Sequence, residues 1–173
     1  MNSPEETCTL REICAQLEQH SLPLWQQLPE LDLYMDQVLS LVGRYLGGYP
    51  GFDSKGLTAS MVNNYVKQGV LAPPKKKRYS RTHLAQLLVI CLLKASLPIA
   101  AIRQLTAGEA AQSDPEAFYS RFRELFEQTN REVSAGYSGG AAAEEDFPAV
   151  VCRAALRAQA EQALAARLCA ADN

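Results

Sequence analysis

The sequence predicts an all-α fold, and three observations support this prediction. Apolar residues recur at helical spacing along most of the 173-residue chain, helix-capping residues precede several of these stretches, and no stretch alternates like a convincing β-strand. A chain of 173 residues suffices for one domain, or for a small domain with a helical extension. We expect at most a short two-stranded β-wing, near residues 70–79.

The first two helices are predicted from their capping residues. Thr9 and Glu12 have the spacing of a capping box, so the first helix is expected to run from about residue 10 to residue 20. The second helix is expected to start at Asp32 as its N-cap and to end before the Gly-Gly-Tyr-Pro sequence at 47–50. A loop then leads to the third helix.

The next three helices follow from the same kind of signal. Thr58 is expected to cap a third helix that Gly69 ends. Ser80 should cap a fourth helix, which is apolar nearly throughout after Leu84 and is therefore expected to be buried on most sides. The fifth helix should begin near Pro98.

A strong start signal precedes the sixth predicted helix. Asp114 is a good N-cap, Pro115 fits the first helical position, and Glu116 places an acid in the first turn. An aromatic stripe at helical spacing follows and consists of Phe118, Phe122, Leu125, Phe126 and Val133. We expect a flexible Gly-rich break at 136–146 and a last Ala-rich helix over about 148–170.

Charge is strongly segregated along the chain, although the net charge is only −2. Residues 1–53 carry a net charge of −6, residues 54–108 carry +9 with no Asp or Glu, and residues 109–173 carry −5. A basic segment of this kind is typical of a nucleic-acid contact. The alternative is a solvated basic face packed against the acidic ends of the same chain, and charge alone favours neither interpretation.

The third predicted helix has one apolar face and one polar face without acids. Val62 lies at the centre of the apolar face, and we expect Tyr65 to pack beside it in the core. The opposite face contains the predicted base-reading residues, which are Ser60, Asn63, Asn64 and Lys67. Asn pairs with adenine, and Lys serves guanine or phosphate, in the DNA major groove. An ordinary solvent-exposed polar helix face is the alternative interpretation.

A run of cations follows this helix after a short connection. Pro73 and Pro74 stiffen the exit from the helix. The positive charge that follows is what phosphate contacts require beside a base-reading helix. The predicted phosphate-contacting residues are Lys75, Lys76, Lys77, Arg78, Tyr79 and Arg81.

A recognisable frame runs through residues 57–105: a helix with a Tyr, then Gly-Val-Leu, a Pro-rich exit, a basic wing, Tyr-Ser and a Leu-rich helix. A helix that contains Ile completes the frame. Its characteristic residues in this sequence are Tyr65, Gly69, Leu71, Pro73, Arg78, Tyr79, Ser80, Leu84, Leu87, Ile90 and Ile102. This frame resembles the DNA-binding head of the MerR-type (mercury-resistance regulator) winged-helix transcription factors. The resemblance implies a winged helix-turn-helix that binds double-stranded DNA, usually as a dimer.

A second resemblance is closer and covers about residues 24–106. The segments that carry it are Trp25, Leu28–Pro29, Leu33–Val38 and Met61–Val66. They resemble a bacterial family of unknown function that carries a MerR-like head. The chain departs from typical MerR-type factors in a connection of about ten residues, 47–56, and in Asn63 and Asn64, where those factors usually have Arg-Tyr.

The sequence contains no pattern typical of an enzyme, a cofactor site or a metal site. The only histidines, His20 and His83, are expected at the surface or at helix flanks, and no Gly-rich phosphate loop, carboxylate pair or nucleophile elbow occurs. An odd number of cysteines, five, without C-x-x-C spacing indicates free thiols, with Cys91 expected to be buried. With no signal peptide and no bilayer-spanning apolar run, we expect a cytoplasmic protein without a membrane contact.

The predicted organisation has three parts. An N-terminal helix occupies 1–23, a MerR-like winged helix-turn-helix head occupies 24–106, and a C-terminal helical region over 107–173 provides a dimer or partner contact. The predicted function is that of a sequence-specific DNA-binding transcriptional regulator acting as a homodimer, and no effector is indicated. The alternative is a helical adaptor without DNA binding. Its head would bind an acidic protein surface, or the Phe118, Phe122 and Phe126 stripe would bind a partner helix.

Overall fold

The computed structural model describes residues 9–52, 55–138 and 147–171, and regular secondary structure within these ranges is entirely helical. The α-helices of these ranges are α1 (Leu10–Gln19), α2 (Met35–Leu46), α3 (Ala59–Lys67), α4 (Arg81–Leu93), α5 (Ile99–Ala107), α6 (Glu109–Ser113), α7 (Pro115–Ser138) and α8 (Phe147–Ala171). A single 3₁₀ turn spans Trp25–Gln27. The prediction of an all-α fold is confirmed.

Helix α4 forms the centre of the core. Its residues from His83 to Cys91 are all buried, and helices α2, α5 and α7 pack against it. This confirms the expectation that an almost wholly apolar helix is buried on most sides. Cys91 is only 3% exposed, and burial raises the pKa of its thiol to about 11. Cys91 is therefore a packing residue, as the sequence predicted.

Helix α7 packs along α1 and also contacts α4, α6 and the 3₁₀ turn. Its start was predicted correctly, because Asp114 Oδ1 accepts a hydrogen bond of 2.9 Å from the Ala117 amide. Tyr119 is fully buried, and its hydroxyl donates a hydrogen bond of 2.9 Å to the carbonyl of Pro23. The first part of the C-terminal region is thus packed into the same core as the helices that precede it.

The structure corrects the start of the second helix. Asp32 is not the N-cap; α2 begins at Met35, and Gln37 Oε1 accepts a hydrogen bond of 2.9 Å from the Tyr34 amide. The backbone amide and carbonyl of Leu33 pair instead with those of Tyr79, at 2.8 Å each. A residue in such a bridge has an extended backbone, so the helix starts only after it.

Most of the other predicted helix ends agree with the structure. The Thr9 amide bonds Glu12 Oε2 at 2.7 Å and the Glu12 amide bonds Thr9 Oγ1 at 3.3 Å, which completes the capping box of α1. Two features were not predicted. The short helix α6 was missed, and residues 136–138, expected to begin a flexible break, belong to α7. The remainder of that expected break, 139–146, lies outside the described residues.

Helix α8 is exposed along almost its whole length. Leu156, Leu164 and Leu168 are each between 61% and 64% exposed. In the part of the chain that the structure describes, every helix is too short or too polar to cross a bilayer.

Candidate nucleic-acid interface

Helix α3 presents the predicted base-reading residues to solvent. Val62 is fully buried and Tyr65 is 6% exposed, so the inner face packs in the core as expected. The opposite side, here named the polar face, is exposed at Ser60, Asn63, Asn64 and Lys67. Together with Met61, these four residues line an open surface depression of about 550 Å³. The polar face is therefore sterically accessible to a large ligand.

The end of α3 turns the chain sharply back into the core. Gly69 has a φ of +68°, which is favourable for glycine and strained for other residues. The Val70 amide bonds the Tyr65 carbonyl at 2.9 Å and the Gly69 amide bonds the Val66 carbonyl at 3.1 Å, the pattern of a Schellman motif. Val70 and Leu71 are consequently buried, and α3 is held rigidly at its C-terminal end.

A buried polar network fixes this turn to the neighbouring helices. The hydroxyl of Thr106, which is fully buried, donates to the Val70 carbonyl at 2.9 Å and lies 3.0 Å from the Ile102 carbonyl. Gln86 of α4 in turn donates to the Thr106 carbonyl at 3.1 Å. Since buried polar groups are costly without partners, this network favours one arrangement of the segment that follows α3.

The predicted wing is a tight turn, here named the basic hairpin, over Lys75–Arg78. The Arg78 amide bonds the Lys75 carbonyl at 2.9 Å, and an antiparallel bridge joins the two residues. Lys76 and Lys77 have φ values of 50° and 61°. Two consecutive positive φ values are characteristic of a type I′ turn, which favours Asn-Gly. A left-handed backbone costs a non-glycine residue roughly 1–2 kcal/mol, so the lysine tip is locally strained.

The four side chains of the basic hairpin are exposed but are not equivalent. Arg78 Nη2 donates a hydrogen bond of 2.7 Å to the Tyr34 hydroxyl, and Arg78 Cζ lies 4.3 Å from the centre of the Tyr34 ring. The same guanidinium reaches the Asp32 carbonyl at 3.4 Å. Arg78 therefore anchors the hairpin to the segment before α2, and the three lysines remain the freely projecting cations.

Arg81 and Tyr79 are not the freely exposed side chains that a role in phosphate contact requires. Arg81 Nη2 lies 3.1 Å from Glu30 Oε1, its Cζ lies 5.5 Å from the centre of the Trp25 ring, and its side chain is only 18% exposed. Tyr79 is 3% exposed, and its ring packs edge-on against His83. Because both residues are engaged inside the protein, we remove them from the set of expected phosphate contacts.

His83 is likewise buried, whereas a surface or flanking position was expected. Its Nδ1 accepts a hydrogen bond of 3.1 Å from the Ser80 amide and lies 2.8 Å from the Ser80 hydroxyl, so it completes the N-terminal cap of α4. Burial lowers the pKa of His83, with a smaller opposing effect from hydrogen bonding to the Pro73 backbone. The neutral imidazole is therefore a structural group beside the hairpin.

Arg103 is a further cation of this region that the sequence patterns do not identify as a site residue. Arg103 on α5 is exposed, and its Cδ would lie 3.8 Å from a Cβ atom built on Gly69. Arg103 thus lies beside the C-terminal end of α3, where a positive charge is favourable. The proximity of Arg103 to Gly69 follows from the packing of α5 against the turn and is not visible in the sequence, where the two residues are far apart.

The fold and this surface define an all-helical domain whose acid-free segment, residues 54–108, exposes the polar face of α3 and the basic hairpin. A family described as a domain of unknown function, DUF1836, matches residues 23–127, and the chain belongs to this family. The match extends from the 3₁₀ turn well into α7, in agreement with the packing of α7 into the core. No curated protein and no solved structure matches the chain significantly.

Proposed function

We propose that this protein is a DNA-binding transcriptional regulator with a MerR-like winged helix-turn-helix head. In this proposal the polar face of α3 enters the major groove, where Asn63 and Asn64 read bases and Lys67 contacts guanine or phosphate. The lysines of the basic hairpin contact the phosphate backbone beside the groove, as a wing does. The resemblance of residues 57–105 to MerR-type heads supports this assignment of roles.

The strained tip of the basic hairpin is the observation that carries the proposal. Lys76 and Lys77 occupy two left-handed positions that other residue types fill at lower cost. They add two exposed charges to a segment without acids, so the tip concentrates positive charge at the expense of local stability. A polyanion such as duplex DNA is the ligand that gains most from this charge.

The polar face and the hairpin are close enough to share one duplex. Seven residues lie between Lys67 and Lys75, so the eight steps along the chain limit the distance between their Cα atoms to about 29 Å. One helical turn of B-DNA is roughly 34 Å long. A single binding event can therefore engage both surfaces, with Arg103 providing a further cation at the end of α3.

A homodimer is the second part of the proposal, and α8 supports it. The three leucines of α8 that are more than 60% exposed give this helix an unpartnered apolar surface. Helix α7, in contrast, is already packed against α1 and α4. We therefore assign the dimer contact to α8 within the C-terminal region.

Sedimentation of the full chain should give a dimer, and Leu164→Glu should dissociate it. Leu31→Glu, at an 81% exposed position before α2, should not.

The adaptor function stays as the alternative because one apolar groove favours it. This groove of about 500 Å³ lies between α4, α5 and α7, and Leu105 and Leu125 at its edge are 42% and 45% exposed. Phe118 and Phe122 of the predicted stripe line it. Phe126 does not, since its ring packs against Tyr49 and His20. Such a groove suits a partner helix.

Binding of the full chain to duplex DNA tests the proposal against this alternative. A labelled duplex of random sequence and a duplex selected from a random pool are titrated by fluorescence anisotropy at low and at rising salt. We expect binding to both at low salt, tighter binding to the selected duplex, and a steep linear fall of log affinity with log salt. Absence of binding to any duplex at low salt would reject DNA binding and favour the adaptor.

A further inference from the structure

A further surface depression that is open to solvent, here called the cavity, has a volume of about 540 Å³ and lies away from α3 and the basic hairpin. It is bounded by the end of α1, the connection that follows, the C-terminal end of α2 and one side of α7. Its polar lining side chains are Gln19, His20, Ser21, Gln27, Arg44, Tyr45 and Arg123. The residues around this cavity thus include two arginines and one histidine, and its described lining contains no carboxylate.

Arg44 is the first unusual feature of the cavity. It is exposed, and among the described residues its guanidinium contacts its neighbour Tyr45 alone, 3.4 Å from the hydroxyl and 5.1 Å from the ring centre. No carboxylate within the described ranges lies at ion-pair distance from Arg44. A cation near the C-terminal end of α2 is favourable in itself, but that role leaves most of the five guanidinium N–H donors unused.

Arg123 faces the same cavity and is held in place from two directions. Its Nε donates a hydrogen bond of 2.8 Å to the Leu22 carbonyl, and its Nη2 lies 2.7 Å from Glu127 Oε1. The Arg123 side chain is only 23% exposed. These contacts fix the guanidinium before any ligand arrives and still leave donors for one. Glu127 balances one of the two arginine charges, so the pair retains one uncompensated positive charge.

His20 lines the cavity together with the two arginines. Its ring packs against the rings of Tyr49 and Phe126, with centroid distances of 5.1 Å and 6.1 Å. Its Nε2 is inaccessible to solvent, so this nitrogen is not a contact for an occupant of the open cavity. The imidazole ring nevertheless reports on an occupant, because it is part of the lining.

We propose that this cavity binds a small molecule bearing a carboxylate or phosphate group, with the anionic group between Arg44 and Arg123. The charge-assisted hydrogen bonds of guanidinium groups to such oxyanions are strong and geometrically specific. Since Arg44 belongs to α2 and Arg123 to α7, the bound anion joins these two helices. The inference does not depend on DNA binding, and its test uses no DNA.

Nuclear magnetic resonance of the two histidines tests this site directly, because the chain contains only His20 and His83. The full chain is titrated with sodium phosphate and, separately, with sodium succinate, at constant ionic strength kept with sodium chloride. We expect at least one of the two to shift the His20 imidazole resonance saturably, with a dissociation constant of about 1–10 mM. The His83 resonance should stay in place, because His83 lies at the start of α4 and is not part of the cavity lining.

Two matched variants decide the assignment. Arg44→Gln removes an exposed cation without an ion pair, so the fold should persist; we expect its affinity for the effective anion to fall about 10- to 100-fold. Arg11→Gln removes an exposed cation of α1 outside the cavity and should bind like the parent. If neither anion shifts His20, if both histidines shift together, or if Arg44→Gln binds unchanged, the site is not an anion site. Phosphate-only or succinate-only binding identifies the class of oxyanion.

Discussion

Helix α3 and the basic hairpin are both exposed parts of the acid-free segment, but their residues suit their backbones to different degrees. Helix α3 begins after Thr58, whose hydroxyl accepts from the Met61 amide, and ends at Gly69 with a positive φ. Both residue types are those that the geometry favours. The hairpin instead places Lys76 and Lys77 at positions that favour Asn and Gly. The residues of α3 therefore stabilise its backbone conformation, whereas the hairpin carries two lysine charges at positions where lysine costs stability.

In the proposed DNA complex, the loss of one base contact from α3 should have the largest effect on sequence discrimination. We expect Asn63→Ala to cost about 1–3 kcal/mol on the selected duplex and little on random duplexes, because an amide contact to a base carries no charge. Anisotropy titrations on both duplexes measure this. Gln128→Ala on α7 is the control and should change neither affinity. Equal losses on selected and random duplexes would show that Asn63 does not read a base.

Two double variants of the hairpin tip should distinguish the effect of its positive charge from the effect of its strained backbone. The double change Lys76→Asn and Lys77→Gly should stabilise the protein by about 2 kcal/mol, because the new residues tolerate positive φ. For a chain of this size the melting temperature should rise by about 4–8 °C. The matched change of both lysines to Ala removes the same charges but leaves the strain, so it should not stabilise.

The two double variants should also weaken DNA binding to the same extent, since each removes two cations. Calorimetry provides the melting temperatures, and anisotropy provides the affinities. A stabilised Asn-Gly variant that binds duplex DNA like the parent would show that the tip charges make no DNA contact. A destabilised Asn-Gly variant would show that the turn is not of the proposed type.

Weakening the anchor of the hairpin should have a smaller effect. Tyr34→Phe removes the hydroxyl that accepts the 2.7 Å hydrogen bond from Arg78. We expect a loss of about 1 kcal/mol in the free energy of unfolding, measured by urea denaturation. Tyr137→Phe is the control: its hydroxyl is buried with no hydrogen-bond partner among the described residues, so its removal should cost nothing. An unchanged stability in Tyr34→Phe would mean that Arg78 does not anchor the hairpin.

The smallest expected effect is a pH dependence beside the hairpin. Burial lowers the pKa of His83 from its ordinary value of 6.5; the field of Lys75 lowers it further, and that of Asp32 opposes the shift. Because the unfolded chain then binds the proton more readily, this contribution to stability is present above pH 6.5 and is lost as the pH falls below it. His20, whose pKa burial also lowers, adds an effect of the same sign.

Replacing His83 isolates its share of this dependence. His83→Gln keeps a side chain that completes a capping box with Ser80 but does not titrate. Urea denaturation at several pH values should therefore show a flatter decline of stability below pH 6.5 than in the parent, with His20 responsible for the remainder. An identical decline in parent and variant would contradict the burial of a neutral imidazole at position 83.

The parts of the fold that were predictable depend on local signals. The cap at Asp114, the capping box of Thr9 and Glu12, and the turn at Gly69 each involve residues a few positions apart. The start of α2 was mispredicted because Leu33 pairs with Tyr79, a partner that a local pattern cannot show. Local propensity at Asp32 was overridden by this tertiary contact.

The candidate interface, like the fold, has one part that local sequence patterns predict and one part that they do not. Helical spacing was enough to predict that Ser60, Asn63, Asn64 and Lys67 share an exposed face. The roles of the cations after residue 74 could not be ranked, because a sequence shows charge but not the partner of each charge. The structure separates them: Arg78 is held by Tyr34 and Arg81 by Glu30 and Trp25, which leaves the lysines free.

The salt dependence of DNA affinity tests the central claim most directly. In the variant with Lys75, Lys76 and Lys77 changed to Gln, the slope of log affinity against log salt should fall by about 2–3 per protomer, on every duplex alike. A control variant with the exposed Arg11, Arg121 and Arg131 changed to Gln has the same net charge and should keep the slope of the parent. If the lysine variant binds duplex DNA with the affinity and slope of the parent, the basic hairpin is not a DNA-binding surface.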